Sequence, residues 1–572
     1  MPLHNSEIAA RFETLADLLE IEGANAFRVR AYRNAARVVR DSSKSIAAAV
    51  EEGEDLSELP AIGEDLAGKI GEIVRTGRLG LLEEVQSRVP AELAELMEVD
   101  GLGPKRVQAL YRSLEVRSLD DLRQAAEEGR IREVSGFGAK TEQKILHSLE
   151  ARGGEEQRTR LAQAEEIAGP LADYLEDVEG VKQLVVAGSF RRRRETVGDL
   201  DLVVTAKRDS PVMDRFTAYE EVEEVVSHGK TRSTVRLRSG MQVDLRVVPE
   251  VSYGSALMYF TGSKAHNIAL RKIAVDQGWK INEYGMFEDD ERIAGRTEEE
   301  IYEKLGLDYV PPELREDRGE IAAAREHKLP QLVSVDDIRG DLHCHTTETD
   351  GHDDLETMVE AARSRGYAYL AITDHSRHLS VANGMDEKRL RRQLERIDAI
   401  NDDSADFVVL KSVELDILED GALDLPDSVL DELDLVVCSV HYKFDLSQER
   451  QTERILRAMD NPHVNILAHP SGRLIGERKA YAVDMERLVE GARERGCFLE
   501  VNAQPARLDL NDVHCRMAKE AGVKVSISTD AHSGANLGNL RYGVDQARRG
   551  WLEAGDVLNT MSLEALRKAL RR

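Results

Sequence analysis

Residues 188–203 read GSFRRRRETVGDLDLV and join two predicted strands. The first strand, LVVAGS at 184–189, ends in a glycine-serine turn, and the second, DLDLVVT at 199–205, alternates acidic and apolar residues. Asp199 and Asp201 therefore project from one face of a strand, about 7 Å apart along the backbone. Two such carboxylates repel each other unless they share a cation, and Mg²⁺ prefers oxygen ligands. The pattern predicts a magnesium site.

Further features of the sequence fit phosphate chemistry at this site. Gly188 and Ser189 follow a strand, where backbone N–H groups and a hydroxyl can bind phosphate oxygens. Arg192 adds a forked cation, and Asp244, in the alternating segment MQVDLRVV, supplies a third carboxylate if its strand lies beside the first. An isolated Asp-x-Asp pair is more often a solvated strand face, but this ordered set favours a metal site.

The order of these motifs resembles the nucleotidyltransferase palm of the family X DNA polymerases, and the resemblance covers residues 1–315. It includes YFTGSKAHNIALRKIAVDQGWKINEYGMF at 259–287, which matches the family segment that closes over the nascent base pair. It implies that Asp199, Asp201 and Asp244 hold Mg²⁺. The residues that it implies for binding of the incoming dNTP and its template are Gly188, Ser189, Arg192, Tyr259, Phe260, Gly262, Asn267 and Arg271.

A glycine turn followed by an amphipathic helix recurs three times near the start of the chain, as PAIGEDLAGKI (60–70), DGLGPKRVQAL (100–110) and SGFGAKTEQKI (135–145). One copy would indicate only a turn between helices. Three copies favour helix-hairpin-helix motifs, whose backbone N–H groups bind a DNA phosphate without reading sequence. The predicted DNA contacts are Gly63, Gly101, Gly103, Lys105, Gly136, Gly138 and Lys140.

The first hairpin resembles the small N-terminal domain of family X polymerases, in which a lysine at the Lys69 position forms a Schiff base with an abasic sugar. An amine must be neutral to attack a carbonyl. Asp65 lies one helical turn before Lys69, where lyase-competent relatives have a basic residue. Two interpretations are therefore open, a lyase nucleophile and an ordinary i, i+4 ion pair.

Histidine and acidic residues follow a series of short apolar strands in residues 339–572. The segment DLHCHTTETDG at 341–351 places His343 and His345 on one face of a strand. Similar strand ends recur up to residue 532, with amphipathic helices between them. This alternation predicts a β/α barrel with its ligands at the carboxyl ends of the strands. Mixed imidazole and carboxylate ligands suit Zn²⁺ or Mn²⁺.

This part of the chain resembles the PHP (polymerase and histidinol phosphatase) domain found on bacterial and archaeal family X polymerases. The resemblance implies a phosphoesterase with up to three Mn²⁺ or Zn²⁺ ions, which activate water and hold phosphate oxygens. The implied ligands are His343, His345, Asp350, His375, Glu414, His441, His469, Asp530 and His532. The histidines left at the surface or behind the ligands are His352, His378, His463 and His514.

The predicted fold class is multidomain, α+β and α/β, with a helical N-terminal region, a palm built on a mixed sheet and a C-terminal barrel. The predicted segments are a lyase-like domain (1–85), a helix-hairpin-helix subdomain (86–154), the palm (155–250), a nucleotide-binding subdomain (251–315), a linker (316–338) and the PHP domain (339–572).

The chain has 572 residues and a formal net charge of −29. Such acidity ordinarily opposes nucleic-acid binding, but residues 28–40 and 191–194 are locally basic. Four scattered cysteines read as buried thiols, and we find no signal peptide or apolar run of membrane-spanning length. We expect a cytoplasmic, nucleoid-associated monomer that does not contact a membrane.

Together the motifs predict a repair-type, DNA-directed DNA polymerase that fills gaps or nicks with dNTPs, as in base excision repair. Its barrel would act as a 3′–5′ exonuclease, and the same chemistry suits a 3′-phosphatase or an abasic-site (AP) endonuclease. Two alternatives come from other classes: a DNA-end-binding scaffold with one or both sites inert, which a metal titration would reveal, and nucleotide addition to RNA. The three hairpins argue against RNA, because they grip the DNA backbone.

Overall fold

The computed structural model describes residues 5–571 except 41, 43–45, 60–61, 91–92, 98, 100–101, 135, 139–140, 143–144 and 146–157. The chain divides into two compact units, Met1–Gln157 and Arg158–Arg572. None of the helices within the described ranges is long and apolar enough to cross a membrane. All four cysteines are buried and unpaired, as the sequence predicts.

The first unit is built from helices around one apolar core, which confirms the predicted helical region. On its first helix Ile8, Phe12, Leu15 and Leu19 recur every three or four residues, and all four are buried. The α-helices described there are Asn5–Glu22, Ala26–Arg40, Ile46–Glu52, Glu64–Thr76, Gly80–Gln86, Leu93–Leu96, Pro104–Leu114 and Leu119–Glu127.

The palm contains a mixed five-stranded sheet, as predicted. In spatial order its strands are Val181–Val186, Asp199–Ala206, Gln242–Val247, Arg232–Leu237 and Val222–His228. Helices Leu161–Glu176 and Val212–Thr217 contribute apolar side chains to the core of this sheet. The second and third strands run parallel, and their register makes Asp201 the partner of Asp244. The fold therefore brings residues 43 positions apart in sequence to neighbouring strands.

The segment predicted to bind the nucleotide, residues 251–315, follows the palm. Its helices and strands are Tyr253–Thr261, Lys264–Asp276, Trp279–Asn282, Gly285–Glu288, Glu291–Ala294 and Glu298–Lys304. The segment predicted as a linker, residues 316–338, is folded and includes the helix Glu320–Arg325. Glu320 is fully buried and binds His266 Nδ1 at 2.6 Å. The charged side chains that made this segment resemble a solvent-exposed linker form ion pairs with the rest of the unit: Glu316 pairs with Arg192, and Arg318 pairs with Asp512.

The C-terminal part is a parallel barrel of seven strands, which confirms the predicted β/α architecture. The strands follow in chain order as Gly340–Asp341, Tyr369–Ile372, Val408–Asp416, Leu435–Ser439, Ile466–Leu467, Phe498–Asn502 and Val525–Ser528. The main helices between and after them are Leu355–Ser364, Glu387–Asp402, Gln448–Met459, Met485–Arg495, Asp512–Glu520, Leu540–Arg549 and Leu563–Leu570. The His345 N–H donates to the Ala531 carbonyl at 2.8 Å, which links the first and last strands and nearly closes the barrel.

The arginine run of the palm is neutralised by the surrounding protein. Arg191 pairs with Glu298, Arg192 and Arg194 with Glu316, and Arg193 with Glu165 and Asp545 of the barrel. This corrects the interpretation of residues 191–194 as a basic patch open to nucleic acid. Arginine counts in a sequence do not reveal whether acidic partners meet them in the fold.

Candidate metal centres

The first centre lies on the palm sheet. Asp199 and Asp201 project from one strand into a cavity of about 790 Å³. Asp244, on the neighbouring strand, does not line this cavity: its Oδ1 accepts hydrogen bonds from Thr234 Oγ1 at 2.6 Å and Arg232 Nη2 at 3.2 Å. The structure therefore brings two of the three predicted carboxylates into the cavity and holds the third behind them.

The charge of this acidic group is poorly compensated. Burial, together with the charges of Asp199 and Asp244, raises the pKa of Asp201 to about 7. A carboxylate in that position gains from a nearby cation, because the cation offsets both the lost hydration and the like charges. The donor set consists of oxygen atoms alone, which fits a hard ion such as Mg²⁺.

The turn before the strand fits closely against these carboxylates. Gly188 has φ +63°, and a Cβ added there would lie 3.0 Å from Asp201 Oδ2. Both the backbone conformation and the limited space therefore favour glycine at this position. All eight residues predicted to bind the nucleotide line the same cavity: Gly188, Ser189, Arg192, Tyr259, Phe260, Gly262, Asn267 and Arg271.

The walls of the cavity are held by specific contacts. Arg192 Nε binds Glu316 at 3.1 Å, and the Arg271 guanidinium lies 5.5 Å from the centroid of the Tyr259 ring. Asn267 Nδ2 donates to the Tyr259 carbonyl at 2.8 Å, while its buried Oδ1 has no hydrogen-bond partner. An unsatisfied buried acceptor next to a cavity is suited to a ligand donor. Three lining cations that the sequence reasoning missed are Arg158, Arg194 and Lys264.

The second centre lies at the carboxyl ends of the barrel strands. Its side chains form three groups whose ligand atoms lie within 4.8 Å of one another. These groups are His345, Asp350, His375 and His532; His343, His345 and Asp530; and His375, Glu414 and His441. His345 and His375 each belong to two groups, so neighbouring ions would share ligands. His469 completes the predicted set, because its Nε2 lies 3.1 Å from Glu414 Oε1.

The fit of metal ions to these groups follows from buried nitrogen atoms without partners. His343 Nε2, both ring nitrogens of His345 and His469 Nδ1 are buried and make no hydrogen bond. Burial lowers the pKa of His345 to about 4 and that of His469 to about 3, so both rings are neutral. Neutral, unpaired imidazoles among carboxylates are costly in a protein interior unless a cation binds them.

The acidic residues around His375 favour the protonated form of its imidazole. Burial opposes the charged form of His375, but the charges of Glu414 and Asp350 raise its pKa to about 10. His375 Nδ1 lies 2.9 Å from Glu414 Oε2, and His375 Nε2 lies 3.4 Å from Asp350 Oδ2. A divalent cation between these groups would displace that proton, so metal binding releases protons here.

Several residues behind the ligands were not found from the sequence. Glu500 Oε1 lies 2.7 Å from His343 Nδ1, and Asp416 Oδ1 lies 2.9 Å from His441 Nδ1. Carboxylates in this position fix the tautomer and orientation of a ligating imidazole. The available signal was an acidic residue beyond the predicted ligands in each of two mainly apolar strand ends, Glu500 in FLEVN and Asp416 in VELD. Arg507 Nε also lies 3.4 Å from Asp530 Oδ2 and gives the site a cation.

The hairpin turns of the first unit leave room for a phosphate. Helix Glu64–Thr76 begins after Gly63 and helix Pro104–Leu114 after Gly103, without side-chain caps at their amino ends. Apart from its chain neighbours, a Cβ added at Gly63, Gly103, Gly136 or Gly138 would meet no atom of the described residues within 4 Å, and Lys105 is exposed. Gly101 and Lys140 lie outside the described residues.

Lys69 lies in a cavity of about 430 Å³ in the first unit, next to Arg28 and Tyr32. Its Nζ donates a hydrogen bond to Asp65 Oδ1, so the i, i+4 ion pair considered from the sequence is formed. The Lys69 side chain is mostly buried, while Asp65 is 79% exposed. The amine is thus close to a cavity but engaged by a carboxylate.

Comparison with known proteins identifies related chains for both parts of the molecule. Family models match at residues 3–79 (helix-hairpin-helix domain), 93–151 (SAM-like helix-hairpin-helix tandem) and 256–316 (DNA polymerase beta thumb). Over 574 residues, covering all of both chains, the sequence is 38% identical to the DNA polymerase/3′-5′ exonuclease PolX of Bacillus subtilis.

Two further relatives match parts of the chain. A probable phosphatase of Thermoanaerobacter sp. is 31% identical over 234 residues, which is 38% of this chain and 89% of the relative. Rat DNA polymerase lambda is 26% identical over 343 residues, which is 55% of this chain and 56% of the relative. The matches thus include both a polymerase and a phosphatase.

Proposed function

This chain belongs to the PolX family, the family X DNA polymerases with a C-terminal PHP barrel, and we propose that its two centres extend and trim the same DNA strand. It is a repair-type, DNA-directed DNA polymerase with a 3′–5′ exonuclease. The observation that carries the proposal is a cation-rimmed cavity with a carboxylate pair in the palm, combined with a buried histidine-carboxylate cluster in the barrel. The first suits a nucleoside triphosphate and the second a phosphodiester.

In the palm, Asp199 and Asp201, together with Asp244 on the neighbouring strand, would hold Mg²⁺, which would supply charge neutralisation for the triphosphate and activation of the primer hydroxyl. Ser189 and Arg192 bind triphosphate oxygens, and the fixed Arg192 guanidinium meets the negative charge that develops on the leaving pyrophosphate. The 3′ oxygen attacks the α-phosphorus of the dNTP. The residues that lie against the sugar, the base and the template are Tyr259, Phe260, Gly262, Asn267 and Arg271.

In the barrel, the nine clustered residues would hold up to three Mn²⁺ or Zn²⁺ ions, which would supply an activated water and positive charge for the scissile phosphate. Burial keeps His345 and His469 neutral and ready to bind cations. Arg507, beside Asp530, adds a positive charge for the phosphate. The substrate is the last phosphodiester of a 3′ end, and the same chemistry suits a 3′-phosphate or an abasic site.

The first unit supplies the grip on DNA. The open amino ends after Gly63 and Gly103 bind backbone phosphates of gapped or nicked DNA. These contacts do not depend on the DNA sequence, as expected for a repair enzyme. The proposed enzyme acts as a monomer. Lys69 lies in a cavity that suits the sugar at a 5′ end, and its pairing with Asp65 limits lyase chemistry there.

A 5′-labelled primer on gapped DNA tests the proposal, because lengthening and shortening are measured on the same strand. The full chain is incubated with and without dNTPs, in Mg²⁺ and then in Mn²⁺. We expect Asp201→Ala to reduce extension at least about 100-fold and to leave shortening intact. His343→Ala should have the opposite effect.

Matched controls lie close in the chain. Asp209→Ala changes an exposed carboxylate after the same strand, and His463→Ala changes a histidine before a barrel strand, at the other end from the ligands. Neither should alter extension or shortening. Loss of both reactions in Asp201→Ala or His343→Ala, with the variant folded, would refute two separate centres.

A further inference from the structure

A loop at the mouth of the barrel, residues 376–384, begins directly after the ligand His375. The Met385 N–H donates to the His375 carbonyl at 2.8 Å and closes the base of the loop. Ser376 Oγ donates to Asp424 Oδ1 at 2.8 Å, and the His378 N–H donates to Asp424 Oδ2 at 2.9 Å. Asp424 is buried, so the loop is fixed to the barrel before any substrate arrives.

The ring of His378, on this loop, packs against an aromatic ring from another part of the barrel. The His378 imidazole lies 4.7 Å, centroid to centroid, from the ring of Tyr442, the residue after the ligand His441. Tyr442 is itself immobilised: its hydroxyl accepts the Glu419 N–H at 2.7 Å, and the buried Arg454 guanidinium lies 4.7 Å from its ring centroid. His378 therefore rests on a support that is held from several directions.

The same loop presents apolar and aromatic surface to solvent beside a metal centre. His378 is exposed, and Val381 is 94% exposed. An isolated exposed valine needs no explanation. Here it shares a short, anchored loop with an exposed ring, and His378 lies three positions after the predicted ligand His375. That separation allows at most about 11 Å of extended chain.

We propose that His378, on the same loop as the exposed Val381, is a stacking platform for the base of the 3′-terminal nucleotide, which holds the adjoining phosphodiester at the barrel metal centre. This inference rests on the proposed exonuclease function. Every base has a π face, so a ring of this kind binds any terminal base without reading its identity. A rigid platform suits the task, because the loop does not lose entropy again when the DNA binds.

Exonuclease kinetics of the full chain test the proposal. The 5′-labelled substrates carry either a normal 3′-terminal nucleotide or a terminal abasic tetrahydrofuran nucleotide, which has no base to stack. For the normal end we expect His378→Ala to raise KM about tenfold with kcat within twofold. For the abasic end we expect no change. His378→Phe should restore the wild-type KM, and His463→Ala should leave both ends unaffected.

A binding measurement separates this inference from the exonuclease proposal. With His343→Ala as background, the fluorescence of a 3′-terminal 2-aminopurine is followed on binding. We expect quenching that disappears when His378→Ala is added and returns with His378→Phe. Equal KM changes for the normal and abasic ends, or quenching that is independent of residue 378, would overturn the platform. Failure of the wild-type chain to shorten either end would instead refute the exonuclease.

Discussion

Arg193 Nε donates a hydrogen bond to Asp545 Oδ2 at 2.7 Å, which joins the arginine run of the palm to the barrel helix Leu540–Arg549. Two contacts strengthen this junction. Arg549 Nη1 donates to the Arg192 carbonyl at 2.7 Å, and Arg473 Nη2 binds Glu195 Oε2, also at 2.7 Å. The backbone that carries Arg192, the proposed triphosphate ligand, is therefore supported by the barrel.

We expect Asp545→Ala to weaken both the fold and the polymerase centre. It leaves a largely buried guanidinium short of one partner, which should lower the free energy of unfolding by about 1–3 kcal/mol. Extension should fall because Arg192 loses support. Denaturation and primer extension measure the two effects. Arg391→Ala, which breaks an exposed pair with Glu432, is the control and should change neither.

The pKa of Asp201, about 7 in the metal-free protein, sets a pH dependence for the polymerase. A proton and Mg²⁺ compete for the same carboxylate. We therefore expect the Mg²⁺ concentration for half-maximal extension to rise about tenfold per pH unit below pH 7 and to level off above it. Titration of extension against Mg²⁺ from pH 5.5 to pH 8.5 measures this. A half-maximal concentration that is constant over the range would contradict the assignment.

The same shift has a defined effect on stability. The pKa of Asp201 in the fold lies above the ordinary value for an aspartate, so protonation of this group favours the folded state. Its stabilising contribution is complete below about pH 4 and is lost as the pH rises through 7. Mg²⁺ should accordingly raise the Tm more at pH 8 than at pH 6. Asp201→Asn should abolish that difference, while Asp209→Asn should preserve it.

Release of Lys69 from Asp65 should increase its reactivity towards an abasic sugar. The hydrogen bond to Asp65 occupies the amine, which must be free to attack the carbonyl. We expect Asp65→Asn to increase the borohydride-trapped complex with a 5′-deoxyribose phosphate end several-fold. Lys69→Ala should abolish trapping in that background. No increase in Asp65→Asn would show that the ion pair does not limit the chemistry.

The sequence predicted those residues of the two centres that lie close together in one motif or one strand. Asp199 and Asp201 share a strand face, and most of the predicted barrel ligands lie at or after the end of an apolar strand, while the full set of nine was implied by the resemblance to the PHP domain. Eight predicted residues line the palm cavity because they lie in two continuous motifs. Such side chains are recognisable before their neighbours are known.

The sequence could not predict what depends on a partner distant along the chain. The arginine run reads as a basic surface until Glu165, Glu298, Glu316 and Asp545 meet it in the fold. In the sequence Glu500 is only an acidic residue in an apolar strand. Its role follows from the contact with His343, which lies 157 positions earlier in the chain. Residues 316–338 were predicted to be a linker because the sequence shows their charged side chains but not the distant residues with which those side chains form ion pairs.

Asp416 should tune metal binding without touching the metal. Its Oδ1 lies 2.9 Å from His441 Nδ1, which leaves Nε2 of the ring directed at Glu414 and fixes the tautomer that binds a cation. Asp416→Asn keeps the size of the side chain but can turn an amide N–H towards the ring. We expect Mn²⁺ affinity to fall about 10- to 100-fold, with a matching rise in the Mn²⁺ needed for exonuclease activity.

Calorimetric Mn²⁺ titration and activity titration should agree if Asp416 acts through His441. Asp420→Asn is the matched control, because Asp420 lies a few residues further on and is 63% exposed. It should leave Mn²⁺ affinity unchanged. At saturating Mn²⁺ the Asp416→Asn variant should recover most of its kcat, since the ligands themselves are intact. A kcat that stays low at saturation, with normal Mn²⁺ affinity, would mean that Asp416 acts on the substrate and not on the metal.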